Sequence, residues 1–170
     1  EKQKRVDLVR EMFYELPVHV LFIFLGIPEE DIGRIKTWSR KRLMLTWGQL
    51  SDAQQMVEAQ GLLEYWKYTE AFVDSLLADP PDHYVGDLIR VSQADEDQRT
   101  IDEIPNIVYG LVLAGHETTT SMSSNAILTL MQHRDVWQRL CVEPQAIPNA
   151  VEELLRFNSS VITWRRKTTR

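Results

Sequence analysis

One helical pattern constrains this chain more than anything else in it. It opens at Thr100 and runs to about His133. Roughly 33 residues at 1.5 Å each predict a helix close to 50 Å long. Helices of that length are unusual in a globular domain unless they cross the whole core. Thr100 and Glu103 stand at capping-box spacing, in which each side chain serves a free backbone N–H, and they mark the start. The centre is the anomaly. From Gly115 to Ser121 there is no apolar side chain, and Glu117 is charged.

The remaining patterns are also helical. "LPVHVLFIFLGIP" reads as a buried helix, from its length and its helical neighbours. Ile32, Ile35, Trp38 and Leu43 give the next helix its spacing, and "LTWGQL" breaks it at Gly48. Ser51 and Gln54 form another capping box. Met56, Leu62, Leu63, Trp66, Val73, Leu76 and Leu77 supply the apolar stripe of the helix it opens, and "DPPD" ends that helix because proline cannot continue the ladder. "YVGDLIRVS" and "RDVWQRLCVEPQ" are short helices, with the acidic turn "QADEDQR" after the first. Pro148 sits at a tolerated first-turn position before "NAVEELLRF". "VITWRRKTTR" alternates and is β-branched, so a strand is expected to begin there. With no repeats and no linker, residues 1–170 read as one mainly α unit.

Composition removes several classes. A net charge of −6 argues against a nucleic-acid partner, which calls for a basic face. "VHVLFIFLGI" is too short to span a bilayer, which needs about 20 residues, and no signal peptide opens the chain. A single cysteine, Cys141, excludes an internal disulfide and a cysteine-cluster metal site. A soluble, cytoplasmic protein with no membrane partner is expected.

The chemistry concentrates in "LVLAGHETTTSM". Thr118 lies four residues after Ala114, so its hydroxyl can bond that carbonyl in place of the backbone ladder. Gly115 lets the helix open and a flat ligand come close. The product is a notch holding the Glu117 carboxyl and the Thr118 hydroxyl, kept dry by Leu111, Val112 and Leu113. An acid beside an alcohol can relay protons. A zincin site is excluded, because the second histidine of that pattern falls on Thr120. His116 is expected on the outer face of the helix, and Cys141 as a buried or half-buried thiol.

"AGHETT", residues 114–119, resembles the central-helix signature of cytochromes P450, and such a match arises by chance in roughly one chain per thousand. "EELLR" follows in order and is similar to the family's Glu-x-x-Arg element, through Glu153 and Arg156. "LGIPEED", the "TW" loop and "RRKTTR" look like those of bacterial soluble members. The resemblance implies a partial P450 fold built round a long central I-type helix, from about helix E to just past helix K.

By resemblance, Thr118 would hydrogen-bond the oxygen being activated and help its distal atom leave as water, with Glu117 feeding protons. Ala114 and Gly115 would face haem b, and Leu113 and Val161 would touch a small apolar organic substrate. Arg166, or its neighbour Arg165, would bind a haem propionate. Glu153 and Arg156 would form a buried structural pair. The family's haem-ligating cysteine would lie beyond Arg170, so no metal ligand is expected in this chain, and the chain alone is expected to be inactive. The implied activity is a haem-thiolate monooxygenase using O2 and reducing equivalents from NAD(P)H. These would arrive through a ferredoxin, a flavoprotein or a fused reductase domain. The alternative is a haem-free helical scaffold that kept the fold, and an intact acid–alcohol pair argues against it.

Overall fold

The computed structural model describes residues 5–94, 100–163, 168 and 169. Regular structure among the described residues is helical throughout. The α-helices are α1 (Leu16–Leu25), α2 (Ile32–Trp47), α3 (Asp52–Leu76), α4 (Tyr84–Ala94), α5 (Ile104–Gly115), α6 (Glu117–Gln132), α7 (Arg134–Val142) and α8 (Ile147–Phe157). None among the described residues is long and apolar enough to cross a membrane. The chain divides into two compact parts, residues 18–116 and residues 1–17 with 117–170.

Residues 18–116 hold most of the buried apolar side chains. The capping box at Ser51 forms in full: the Ser51 N–H donates to Gln54 Oε1 at 2.9 Å, and the Gln54 N–H donates to Ser51 Oγ at 3.4 Å. The stripe that α3 buries differs from the expected one. Met56 and Leu63 are exposed, while Gly61, Tyr65, Thr69 and Val73 recur every fourth residue on the inner face, with Phe72 beside them. Two of these are polar types that cancel their own burial cost. The Thr69 hydroxyl bonds the Trp66 carbonyl at 2.8 Å, and the Tyr65 hydroxyl reaches the Tyr109 carbonyl at 3.4 Å. Ile104, Val108 and Val112 of α5 repeat the same four-residue spacing, each at most 1% exposed.

Aromatic rings join α2, α3 and α5. Tyr65 stacks on Tyr109 at 4.6 Å and on Trp38 at 5.4 Å. Arg34 lies over the Trp38 ring at 5.1 Å, and the Tyr68 hydroxyl donates to Asp31 at 2.9 Å. Burial raises the Tyr65 phenol well above its ordinary range. It does the same for Tyr68, with the Asp31 bond adding to it, so both stay neutral donors.

The expected buried helix is α1, but only one face of it is covered. Val18, Phe22 and Leu25 are buried, whereas Val20, Ile23 and Phe24 point outward. Spacing of three and four residues selects one stripe even in a run that is apolar all round. Gly26 ends the helix at φ +73°. The Ile27 N–H returns to the Phe22 carbonyl at 2.9 Å and the Gly26 N–H to the Ile23 carbonyl at 3.3 Å, the two bonds of a Schellman stop.

The His83 ring lies so close to Gly26 that a Cβ there would sit 2.1 Å from its Cδ2, and the Gly86 N–H points at His83 Nδ1 from 3.4 Å. Burial, and then Arg90, lower the His83 pKa below 6.5, against the opposing pull of Asp87 and Asp82. The neutral ring is therefore the folded form, so its contribution to stability is complete above pH 6.5 and is lost as pH falls below that value. The midpoint of urea unfolding should drop between about pH 7.5 and about pH 5.5, and His83→Gln should flatten that slope. An equal slope in the variant would remove His83 as the cause.

The single helix expected from Thr100 to His133 is two helices. A 3-10 turn over Ile101–Glu103 comes first, closed by the Glu103 N–H on the Thr100 carbonyl at 2.9 Å. Thr100 makes no side-chain cap, so the expected capping box does not form. The tight turn moves the α-helical start to Ile104, with Pro105 in its first turn, and Thr100 and Glu103 no longer stand at cap and third positions. The second interruption is at His116 (φ −81°, ψ −70°), between α5 and α6. It falls in the segment where the residue pattern predicts an opening.

Residues 1–17 and 117–170 contain α6, α7 and α8 and one π-helical turn, Val9–Phe13, whose bond from the Tyr14 N–H to the Val9 carbonyl is 2.9 Å. In this part Phe13, Thr120 and Thr129 are the buried residues among those described. Pro148 occupies the first turn of α8, as its position predicts. The strand expected from Val161 onward is not seen: Val161, Ile162 and Thr163 are irregular, while Trp164–Lys167 and Arg170 fall outside the described residues. β-Branching favours a strand only where a partner strand pairs with it.

Candidate active site

The site residues flank the interruption along the chain. Leu113, Ala114 and Gly115 form the last turn of α5, and Glu117 and Thr118 open α6. Glu117 is the first residue of its helix, where the positive end of the dipole favours a carboxylate. Glu117 and Thr118 are half-buried, and Ala114 is exposed. His116 is 1% exposed, which reverses the expectation of an outer-face side chain. The interruption leaves the imidazole on the covered side of its turn.

Gly115 is used in a way that its sequence context did not reveal. A Cβ built there would lie 3.2 Å from Leu21 Cδ2, so the missing side chain admits the Leu21 methyl from α1. A haem finds one kind of fit among these residues. Ala114 offers a single exposed methyl beside a helix opening, which suits the face of a flat macrocycle. A thiolate to hold the iron is a different matter. Cys141 is exposed on α7 rather than buried or half-buried, and it stands in a surface helix with Arg139 and Glu143 paired at 3.0 Å. The outward face of so short an amphipathic helix leaves the thiol in water.

The remaining expected residues are placed as follows. Val161 is half-buried, and its N–H donates to Ser159 Oγ at 3.4 Å. Arg165 and Arg166, the two choices for the propionate, lie outside the described residues. Glu153 and Arg156 pair as expected, with two bonds of 2.6 and 2.7 Å, but the pair is exposed rather than buried. One turn of α8 brings them together, and nothing among the described residues closes over that face. Their mutual bonding lowers the Glu153 pKa and raises that of Arg156. Beside them, Thr129, His133, Val136, Leu154 and Phe157 line a groove of about 220 Å³.

Thr120 has a role that residue spacing alone missed. It is 7% exposed, and its hydroxyl donates to the Phe13 carbonyl at 2.9 Å. A signal was present in Pro17, four residues after Phe13, which has no N–H to give that carbonyl.

Glu117 and Thr118 thus stand side by side at the start of α6, both half-buried, one residue past the turn at His116. The sequence profile described as Cytochrome P450 matches residues 63–170, and the chain belongs to that family. It is similar to the vitamin D(3) 25-hydroxylase of Pseudonocardia autotrophica, 34% identical over 156 residues, which are 92% of this chain and 37% of the hydroxylase. Among solved structures it resembles cytochrome P450 CREJ (TM-score 0.82, 35% identity, 91% of this chain and 39% of that one). It also resembles an intact type IV self-sufficient cytochrome P450 monooxygenase (TM-score 0.79, 38% identity, 91% of this chain and 20% of that one). The chain thus spans less than two-fifths of the length of each.

Proposed function

We propose that the protein containing this chain is a haem-thiolate monooxygenase that places one atom of O2 into a small apolar organic substrate. The observation that carries this is the acid–alcohol pair, Glu117 and Thr118, in the first turn of α6 immediately after a helix interruption, in a chain of this family. The haem, when bound, supplies the oxygen-activating iron. Ala114 would line the haem with its exposed methyl. Thr118 holds a proton at Oγ1 beside the dioxygen substrate, and Glu117 resupplies it through its carboxyl, as general acid–base catalysis requires. Leu113 and Val161 would supply apolar contact to the organic substrate, and Arg166, or its neighbour Arg165, would pair with a propionate. Electrons come from NAD(P)H through a ferredoxin, a flavoprotein or a fused reductase.

The test is the absorption spectrum of the reduced, carbon-monoxide-bound complete protein. A strongly red-shifted Soret band, the mark of a thiolate opposite CO, is expected. A folded protein lacking that band would overturn the proposal in favour of a haem-free scaffold.

A further inference from the structure

We propose that Thr120 is a positioning residue, whose tether to the π-helical turn sets the rotation of α6 and so the direction in which Thr118 is presented. This rests on the reading of the Glu117–Thr118 pair given above.

The tether follows from the backbone. Tyr14 closes the π-helical turn on Val9, and the Phe13 carbonyl, one residue before, would ordinarily be taken by the N–H four residues on. That residue is Pro17, which has none. Phe13 is 8% exposed, so its carbonyl has little access to water. An unsatisfied buried acceptor is expensive, and the Thr120 hydroxyl supplies the donor from 107 residues away at 2.9 Å. The Thr120 carbonyl is engaged in turn by the Ser124 hydroxyl at 2.8 Å.

The position of this bond on the helix matters as much as its strength. Helix α6 starts just after the interruption at His116, and Thr120 stands in its first turn, two residues past Thr118. At 3.6 residues per turn, Thr120 points about 200° away from Thr118. One face is pinned to the π-helical turn, and the opposite face carries the reacting hydroxyl. A rotation of about 25° would swing a hydroxyl near 5 Å from the axis by about 2 Å, and misplacement by 1 Å can cost about 100-fold in rate.

The experiment uses the complete haem-loaded protein with three changes: Thr120→Val, Thr120→Ser, and Thr120→Val combined with Pro17→Ala. Two readouts are followed, amide hydrogen exchange over residues 117–121 and product formed per NAD(P)H consumed. Thr120→Val keeps the shape and removes the donor. Exchange should rise about tenfold, and product per NAD(P)H should fall several-fold. Thr120→Ser should restore both. In the double variant, position 17 regains a backbone N–H for the Phe13 carbonyl, so thermal stability should return while fast exchange and poor coupling persist.

Unchanged exchange in Thr120→Val would overturn the tether. Recovery of coupling along with stability in the double variant would show that Thr120 only satisfies a carbonyl, and would overturn the positioning role. Unchanged coupling in Thr118→Ala would overturn the functional reading of the pair itself, and that result is separable because the exchange measurement does not depend on it.

Discussion

Thr118→Ala in the complete protein is expected to lower product formed per NAD(P)H by about tenfold or more, while NAD(P)H is still oxidised and peroxide is released. On the proposed reading the hydroxyl holds the proton that Glu117 supplies, and positioned proton transfer contributes about 10²–10⁴ in rate. On that reading, a chain without the hydroxyl would lose reducing equivalents as peroxide instead of passing them to product. Instability is a poor rival explanation, because Thr118 is only half-buried in the first turn of α6 and alanine is the better helix former. Thr118→Ser, which keeps the hydroxyl, should retain most of the coupling. Product, peroxide and NAD(P)H measured together decide it, and coupling that survives Thr118→Ala removes the assigned role.

The largest stability effect is expected at Gly86. This glycine is buried in α4, and a Cβ there would stand 1.9 Å from the Pro81 carbonyl oxygen, a backbone atom that cannot swing aside. The Arg90 guanidinium holds the same loop by bonds to the Pro80 and Pro81 carbonyls at 2.8 and 3.0 Å, so the loop has little room to retreat. Gly86→Ala should destabilise by about 3 kcal/mol, the upper range for overpacking. Gly33 in α2 is the matched control, with nothing within 4 Å of its absent Cβ. Gly33→Ala should stabilise by about 0.5–1 kcal/mol, since glycine costs that much inside a helix. Urea unfolding of both variants checks the pair. The same sign at the two positions would mean that helix propensity, rather than the Pro81 carbonyl, governs Gly86.

Much of this molecule is legible in its residues, and the exceptions share a cause. Ser51 and Gln54 announce the start of α3 because a capping box is built within four residues. Thr100 and Glu103 have the same spacing and fail as a cap, because the 3-10 turn and Pro105 shift the helix start. The buried stripe of α3 departs from the apolar pattern at Tyr65 and Thr69. Their hydroxyls find the Tyr109 and Trp66 carbonyls, and one of those partners is 44 residues distant. The inward turn of His116 and the outward turn of Cys141 depend on which side of each helix is covered, which spacing does not report.

By itself, then, the order of residues determined the helical class, most helix boundaries, the opening near Gly115 and the acid–alcohol pair beside it. All of these are set by interactions within a turn or two of the backbone. Tertiary structure alone decided that Gly115 receives Leu21, that Gly26 lies under His83, and that the Phe13 carbonyl orphaned by Pro17 is met by Thr120. Those contacts join residues far apart in the chain, and only packing brings them within reach.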